Sequence, residues 1–198
     1  MLTKSDRTKL FIIEKSAPIF NTKGYAATSM SDIISATGLA KGGIYGNFKN
    51  KDEIALEAFE YSFNKMREAL RFVLKPQTTS AGKLNALLDF YHDYSIKPVI
   101  MGGCPILNTA IDVDDTLPFL KEAAAKGMKE MLATLKHIME QGVKYGEFDK
   151  KLNCAVEAEL FFATIEGGLM MSKLNDSPAI LNRLLDNMKQ QIKQRYMK

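Results

Sequence analysis

Thr28-Ser29-Met30-Ser31-Asp32-Ile33-Ile34-Ser35-Ala36-Thr37-Gly38-Leu39-Ala40-Lys41-Gly42-Gly43-Ile44-Tyr45-Gly46-Asn47-Phe48-Lys49-Asn50-Lys51 reads as two short helices joined by a glycine turn. Ser29 and Asp32 stand at the spacing of a capping box, so a helix starts near Ser29. Met30, Ile33 and Ile34 give it an apolar stripe, and Gly38 supplies the left-handed residue that ends it. After a tight turn over residues 38–40, Lys41 opens a second helix. Ile44 and Phe48, four apart, face its core side, which leaves Lys41, Tyr45 and Asn47 on the remaining surface. Asn50, Lys51, Asp52 and Glu53 then begin a further helix, whose first-turn amides attract phosphate. This arrangement is how a protein places a helix in the major groove of DNA.

Through Phe20-x-x-x-Gly24-Tyr25, Thr28-Ser29, Asp32-Ile33, Gly38-Leu39-x-Lys41-Gly42-x-Ile44-Tyr45-x-x-Phe48 and Lys49-x-Lys51-x-Glu53, the chain resembles the TetR family of bacterial transcriptional regulators over roughly its first 60 residues. By that resemblance Thr28, Ser29, Lys41, Gly42, Gly43, Tyr45, Asn47 and Lys51 match positions that contact double-stranded operator DNA, mostly through phosphates. Two residues depart from the pattern. Ala40 stands where a serine is usual, which removes a cap, and Gly46 replaces a larger residue. With Gly42 and Gly43, Gly46 weakens the reading helix by about 1 kcal/mol per glycine relative to alanine.

Charge is distributed to match. Residues 1–51 hold eight Lys or Arg against three Asp or Glu, a net +5, whereas the remaining residues sum to −1. A solvated basic face would look the same, but here the excess coincides with the motif. The 198 residues, 46% of them hydrophobic, suffice for one large domain or two small ones. The longest apolar run near the start, Leu10 to Ile13, is too short for a signal peptide, and no segment approaches membrane-spanning length. Cys104 and Cys154 make no disulfide framework, and no metal-ligand or cofactor-binding spacing occurs. A cytoplasmic protein without metal or cofactor is expected.

The expected fold class is all-α. Leu10, Ile13, Ala17 and Phe20 mark a first helix, bent by Pro18 and ending at Gly24. Residues 1–50 form a three-helix helix-turn-helix DNA-binding domain, a helix over 51–75 connects, and the turn-rich Pro76 to Gly82 opens a larger ligand-binding and dimerisation domain over 76–198. Leu84, Leu87, Leu88 and Tyr91 predict a buried helix, and Pro105 the first residue of another. A final helix is expected from Ser177 as cap and Pro178 as first residue to Arg195 and Lys198. Ala124, Met128, Met131, Leu135, Ile138 and Gly142 repeat at spacings of four and three, as do Cys154, Ala158, Phe161, Ile165, Gly168 and Ser172. Each seam wants another helix, and periodicity leaves an intramolecular core and a dimer interface equally open. The family resemblance implies a homodimer paired through its last two long helices, so Leu135, Ile138, Ala158, Phe161, Ile165 and Gly168 are expected at that interface.

Gly102-Gly103-Cys104-Pro105-x-x-Asn108 is similar, more loosely, to a segment of a subgroup of these regulators that respond to electrophiles and small organic compounds. At a helix N-terminus Cys104 would be thiolate-prone. A buried small hydrophobe is the reading that takes precedence over a sensor thiol. Tyr91, Tyr94, Met101 and Met128 are candidates to line an effector cavity, although methionines at helical spacing also fit an ordinary core. His92 and His137 have no visible partner in the sequence. The whole implies a DNA-binding regulator, a homodimeric repressor released by a small molecule. A small helical enzyme and a protein-binding adaptor are the alternatives. No nucleophile elbow, phosphate loop or paired His and Cys signature supports an enzyme.

Overall fold

In a computed structural model, residues 3–94, 96–113 and 116–196 are described. They form α-helices α1 (Lys4–Ala27), α2 (Met30–Thr37), α3 (Lys41–Tyr45), α4 (Lys51–Leu74), α5 (Ser80–Tyr94), α6 (Pro105–Val113), α7 (Pro118–Lys144), α8 (Cys154–Leu174) and α9 (Ala179–Gln191), with a π-helical turn over Ile192–Tyr196. The all-α expectation holds, and no strand occurs among the described residues. Nor among them is any helix long and apolar enough to cross a membrane.

Two compact units divide the chain, residues 3–66 with 100–127 and residues 67–99 with 128–196. In the first unit the core is Ile12, Ile13, Ile33, Ile44, Phe48 and Ile54, with Phe20, Met30, Ile34 and Leu39 packed against it. The apolar stripes of α1, α2 and α3 meet there as their spacing requires. Capping boxes start α1 at Thr3 and Asp6 and α2 at Ser29 and Asp32. Gly38 ends α2 at φ 65°, in the left-handed region. Within α1 the non-helical backbone lies at Gly24 (φ 79°, ψ 172°), not at Pro18, and one further turn follows to Ala27.

In the second unit α8 packs against α9, and α9 against α5. Glu147 accepts hydrogen bonds from the Ser80 and Ala81 amides at 2.8 and 3.2 Å, holding the start of α5 with a carboxylate at the positive end of the helix. Gly82 therefore lies inside α5 and not in the linker. The last helix begins one residue later than expected, with Ser177 Oγ accepting from the Ala179 amide at 3.3 Å. Lys198 and the Arg195 side chain lie outside what is described.

Candidate nucleic-acid interface and effector cavity

The helix-turn-helix is held by its own polar groups. Ser29 Oγ accepts from the Asp32 amide at 3.1 Å, and Asp32 accepts from the Ser29 amide at 2.8 Å and from Lys23 Nζ at 2.8 Å. Lys23 and then Ser29 keep the Asp32 carboxyl well below the usual carboxylate range. The reading helix α3 is only five residues long and Ala40 offers it no side-chain cap, in keeping with the missing serine and three glycines. Ser29, Lys41, Gly42, Gly43 and Tyr45 are all exposed. Lys41 Nζ lies 5.8 Å from the Tyr45 ring centre, and Tyr45 is 43% exposed. A Cβ added at Gly42 would meet nothing within 4 Å, so another backbone can approach there.

Three of the candidate contacts are placed differently from expectation. Thr28 is buried, its hydroxyl donating to the Gly24 carbonyl at 2.6 Å, so its side chain is turned away from the open face. Asn47 falls beyond the end of α3. Its Nδ2 donates to the Gly43 carbonyl at 2.8 Å and its Oδ1 accepts from Ser5 Oγ at 3.1 Å, which occupies both ends of the amide that would read a base. Lys51 Nζ donates to the Tyr25 and Thr28 carbonyls at 2.9 and 3.0 Å and sits 3.9 Å over the Tyr25 ring. It is a cationic cap on the end of α1 as well as a charge near the reading head. The Tyr25 hydroxyl donates to Asp52, and burial together with that carboxylate pushes its pKa up to about 12. Lys51's partners lie 23 and 26 residues away in sequence, beyond any local pattern.

The Gly102 to Asn108 motif has a physical reason. Asn21 Nδ2 donates to the Met101 and Gly103 carbonyls at 2.9 and 3.0 Å. Asn108 Nδ2 returns the contact to Asn21 O and Oδ1 at 3.0 and 3.1 Å and to Gly102 O at 2.9 Å. Gly102 has φ 102°, and a Cβ there would stand 2.5 Å from Asn21 O. At Gly24 the Tyr25 amide donates to Asp112 Oδ2 at 2.5 Å, and an added Cβ would strike the same carboxylate. The loop before α6 and α6 itself are thus clasped onto the end of α1. Neither Asn21 nor Asp112 was legible as a partner in this clasp. Cys104, in the middle of it, is only 2% exposed, which favours the buried-hydrophobe reading over a surface thiol.

The proposed effector residues do not assemble as expected. Met101 is exposed and belongs with buried Cys104 to the first unit, whereas buried Tyr91 and Tyr94 and partly exposed Met128 belong to the second. Tyr91 and Tyr94 pack on each other and on Phe90, with ring centres 5.3 to 5.8 Å apart. None of the five lines the large cavity of the second unit, whose volume is about 770 Å³. Its floor is Leu70, Leu87, Met131 and Ile138, and Arg67, Arg71, Lys75 and Lys83 lie along it. Arg67 and Arg71 on α4 and Lys75 just past its end recur every four residues, a spacing that lies outside the motifs named from the sequence.

The helical seams also resolve differently. Leu135, Ile138, Ala158, Phe161 and Ile165 are each 5% exposed or less within a single chain. A Cβ at Gly168 would lie 2.7 Å from Leu181 Cδ1 of α9. These six therefore form intramolecular core, and the close approach that Gly168 permits is that of α8 to α9. The opposite face of α8 carries Val156, Leu160, Met170 and Leu174, exposed by 45, 52, 42 and 78%.

Residues 12–58 match the family model for bacterial regulatory proteins of the tetR family, and residues 80–188 that for the tetracyclin repressor-like C-terminal domain. The chain belongs to the tetR family. A tetR-type transcriptional regulator from Chloroflexus aurantiacus J-10-FL is 35% identical in sequence and superposes with a TM-score of 0.95, over 99% of each chain. One from Cytophaga hutchinsonii is 33% identical with a TM-score of 0.93, over 100% of this chain and 99% of that one. The fatty acid metabolism regulator protein of Bacillus subtilis (strain 168) is 23% identical over 166 residues, 83% of either chain. This tetR-family member is accordingly a DNA-binding transcriptional regulator and not an enzyme.

Proposed function

We propose that this tetR-family regulator is a homodimeric repressor, acting on operator DNA in the cytoplasm and released by a small molecule bound in the second unit. The observation that carries the operator reading is the open face of Ser29, Lys41, Gly42, Gly43 and Tyr45, beside the +5 charge of the first 51 residues. Lys41 and Tyr45 supply phosphate contacts, the two glycines let the backbone come close, and Lys51 adds charge from its cap position. Thr28 and Asn47 are committed internally, so neither is assigned a base contact.

Dimerisation is assigned to the outer face of α8. Val156, Leu160, Met170 and Leu174 follow helical spacings and leave an apolar stripe in water, which a second copy related by a two-fold axis covers. The two reading heads then address major grooves about 34–36 Å apart. The effector reading rests on the 770 Å³ cavity, within the roughly 300–1,000 Å³ range of small-molecule pockets. Helices α4 and α7 each contribute residues to both units and are the covalent path from cavity to head. An effector releases DNA by the difference in its affinity for the two states, whatever its absolute tightness.

An unbiased selection of DNA by the purified protein, followed by a salt series, tests the operator reading. A palindromic motif whose affinity falls steeply with salt is expected. Salt-insensitive or motif-free binding would refute it.

A further inference from the structure

We infer that the cavity of the second unit takes an amphipathic anion, an unbranched aliphatic tail bearing a carboxylate or phosphate head. The inference rests on the reading of that cavity as the effector site and names the effector's chemistry. The floor formed by Leu70, Leu87, Met131 and Ile138 is apolar, each side chain being 5% exposed or less, which suits a hydrocarbon and leaves a polar core unsatisfied. Against this floor the charges are one-sided. Of the thirteen lining residues four are Lys or Arg and none is Asp or Glu. The residues from 52 onward nevertheless sum to −1, so the excess is local to the cavity.

The cations differ in how they are engaged. Arg67 is bound to Glu130 at 3.0 Å. The side chains of Arg71, Lys75 and Lys83 make no hydrogen bond or ion pair among the described residues. Arg71 lies in the last turn of α4 and Lys75 just past its end, the Lys75 amide donating to the Arg71 carbonyl at 3.0 Å, and Lys83 comes from α5. Three uncommitted cations at the edge of an apolar trough match a head that carries negative charge and a tail that does not. A cationic ligand would meet like charge, and a neutral one would forgo the attraction.

Four twelve-carbon probes separate these cases: dodecanoate, dodecyl phosphate, dodecanol and dodecyltrimethylammonium. Binding is measured by calorimetry to the full chain, below micelle-forming concentrations. The two anions should bind, dodecanol roughly tenfold more weakly and the cation not detectably, and the ratio of the two anions tells carboxylate from phosphate. Shortening the tail should weaken binding by up to about fourfold per methylene removed from the trough. R71E combined with K75E should lower anion affinity at least about tenfold and leave dodecanol unchanged, and both sites are exposed, so the core is untouched. A133W, on the exposed lining of α7, should exclude all four probes by filling the trough. Equal affinity for dodecanol and dodecanoate, or no binding by either anion, would overturn the inference. Operator binding by the same preparation reports separately: operator recognition without anion binding sinks only this inference. Anion binding without operator recognition instead sinks the effector-released repressor reading and supports the chemistry assigned to the cavity.

Discussion

Asn108→Ala removes the donor that closes the clasp between α6 and the end of α1. Its Nδ2 faces three oxygens, Asn21 O at 3.0 Å, Asn21 Oδ1 at 3.1 Å and Gly102 O at 2.9 Å. An amide carries two protons, so the three contacts amount to about two full hydrogen bonds. At roughly 1 kcal/mol net each, with an added penalty for partly buried carbonyls left unpaired, the loss should be about 2–3 kcal/mol. That is a large fraction of the roughly 5–15 kcal/mol by which a domain is stable. Urea denaturation of wild type, Asn108→Ala, Asn21→Ala and the double variant measures it. Asn21 makes two further bonds of its own to Met101 O and Gly103 O, so its single variant should also be destabilised. Because the two amides share a contact, the cycle should show a coupling of about 1 kcal/mol. Losses that add to within about 0.5 kcal/mol, or an Asn108→Ala loss below that size, would refute the clasp.

On the DNA side, Lys41→Ala should weaken binding to all sequences alike and lower the salt slope by about one, as read by fluorescence anisotropy across a salt series; an unchanged slope would remove Lys41 from the phosphate contacts. Leu160→Arg, in the exposed stripe of α8, should yield a folded monomer in sedimentation, and a persistent dimer would move the interface elsewhere. Gly168→Leu should instead lower stability by about 1–3 kcal/mol or more in thermal or urea melts, because its Cβ already meets Leu181, which is fully buried. Both thiols should alkylate slowly in the native protein at neutral pH: Cys104 is buried, and burial followed by the nearby Glu140 pushes the Cys154 thiol up. Rapid native labelling of Cys104 would restore the sensor reading.

Local chemistry makes the helix-turn-helix legible in the sequence alone. The Ser29 and Asp32 box, the αL glycine at 38, the uncapped Ala40 and Pro105 at the start of α6 are all decided within four residues of sequence, and each occurs as expected. Periodicity likewise identified the buried seams through Leu135 and Ile165. A heptad-like repeat states that a face is covered but not by what, and the cover of the α8 seam at Gly168 is α9, a partner set by tertiary packing. The same limit governed the site. Thr28, Asn47 and Lys51 occupy motif positions, yet whether their polar atoms face solvent depends on Gly24, Ser5 and Tyr25, one of them 42 residues away. The apolar trough and the cations along it arise only where α4, α5 and α7 meet. Short-range hydrogen bonding and helical phase are properties of the chain itself, whereas the assignment of each polar group to a partner, and of each apolar face to a cover, is made only by tertiary packing.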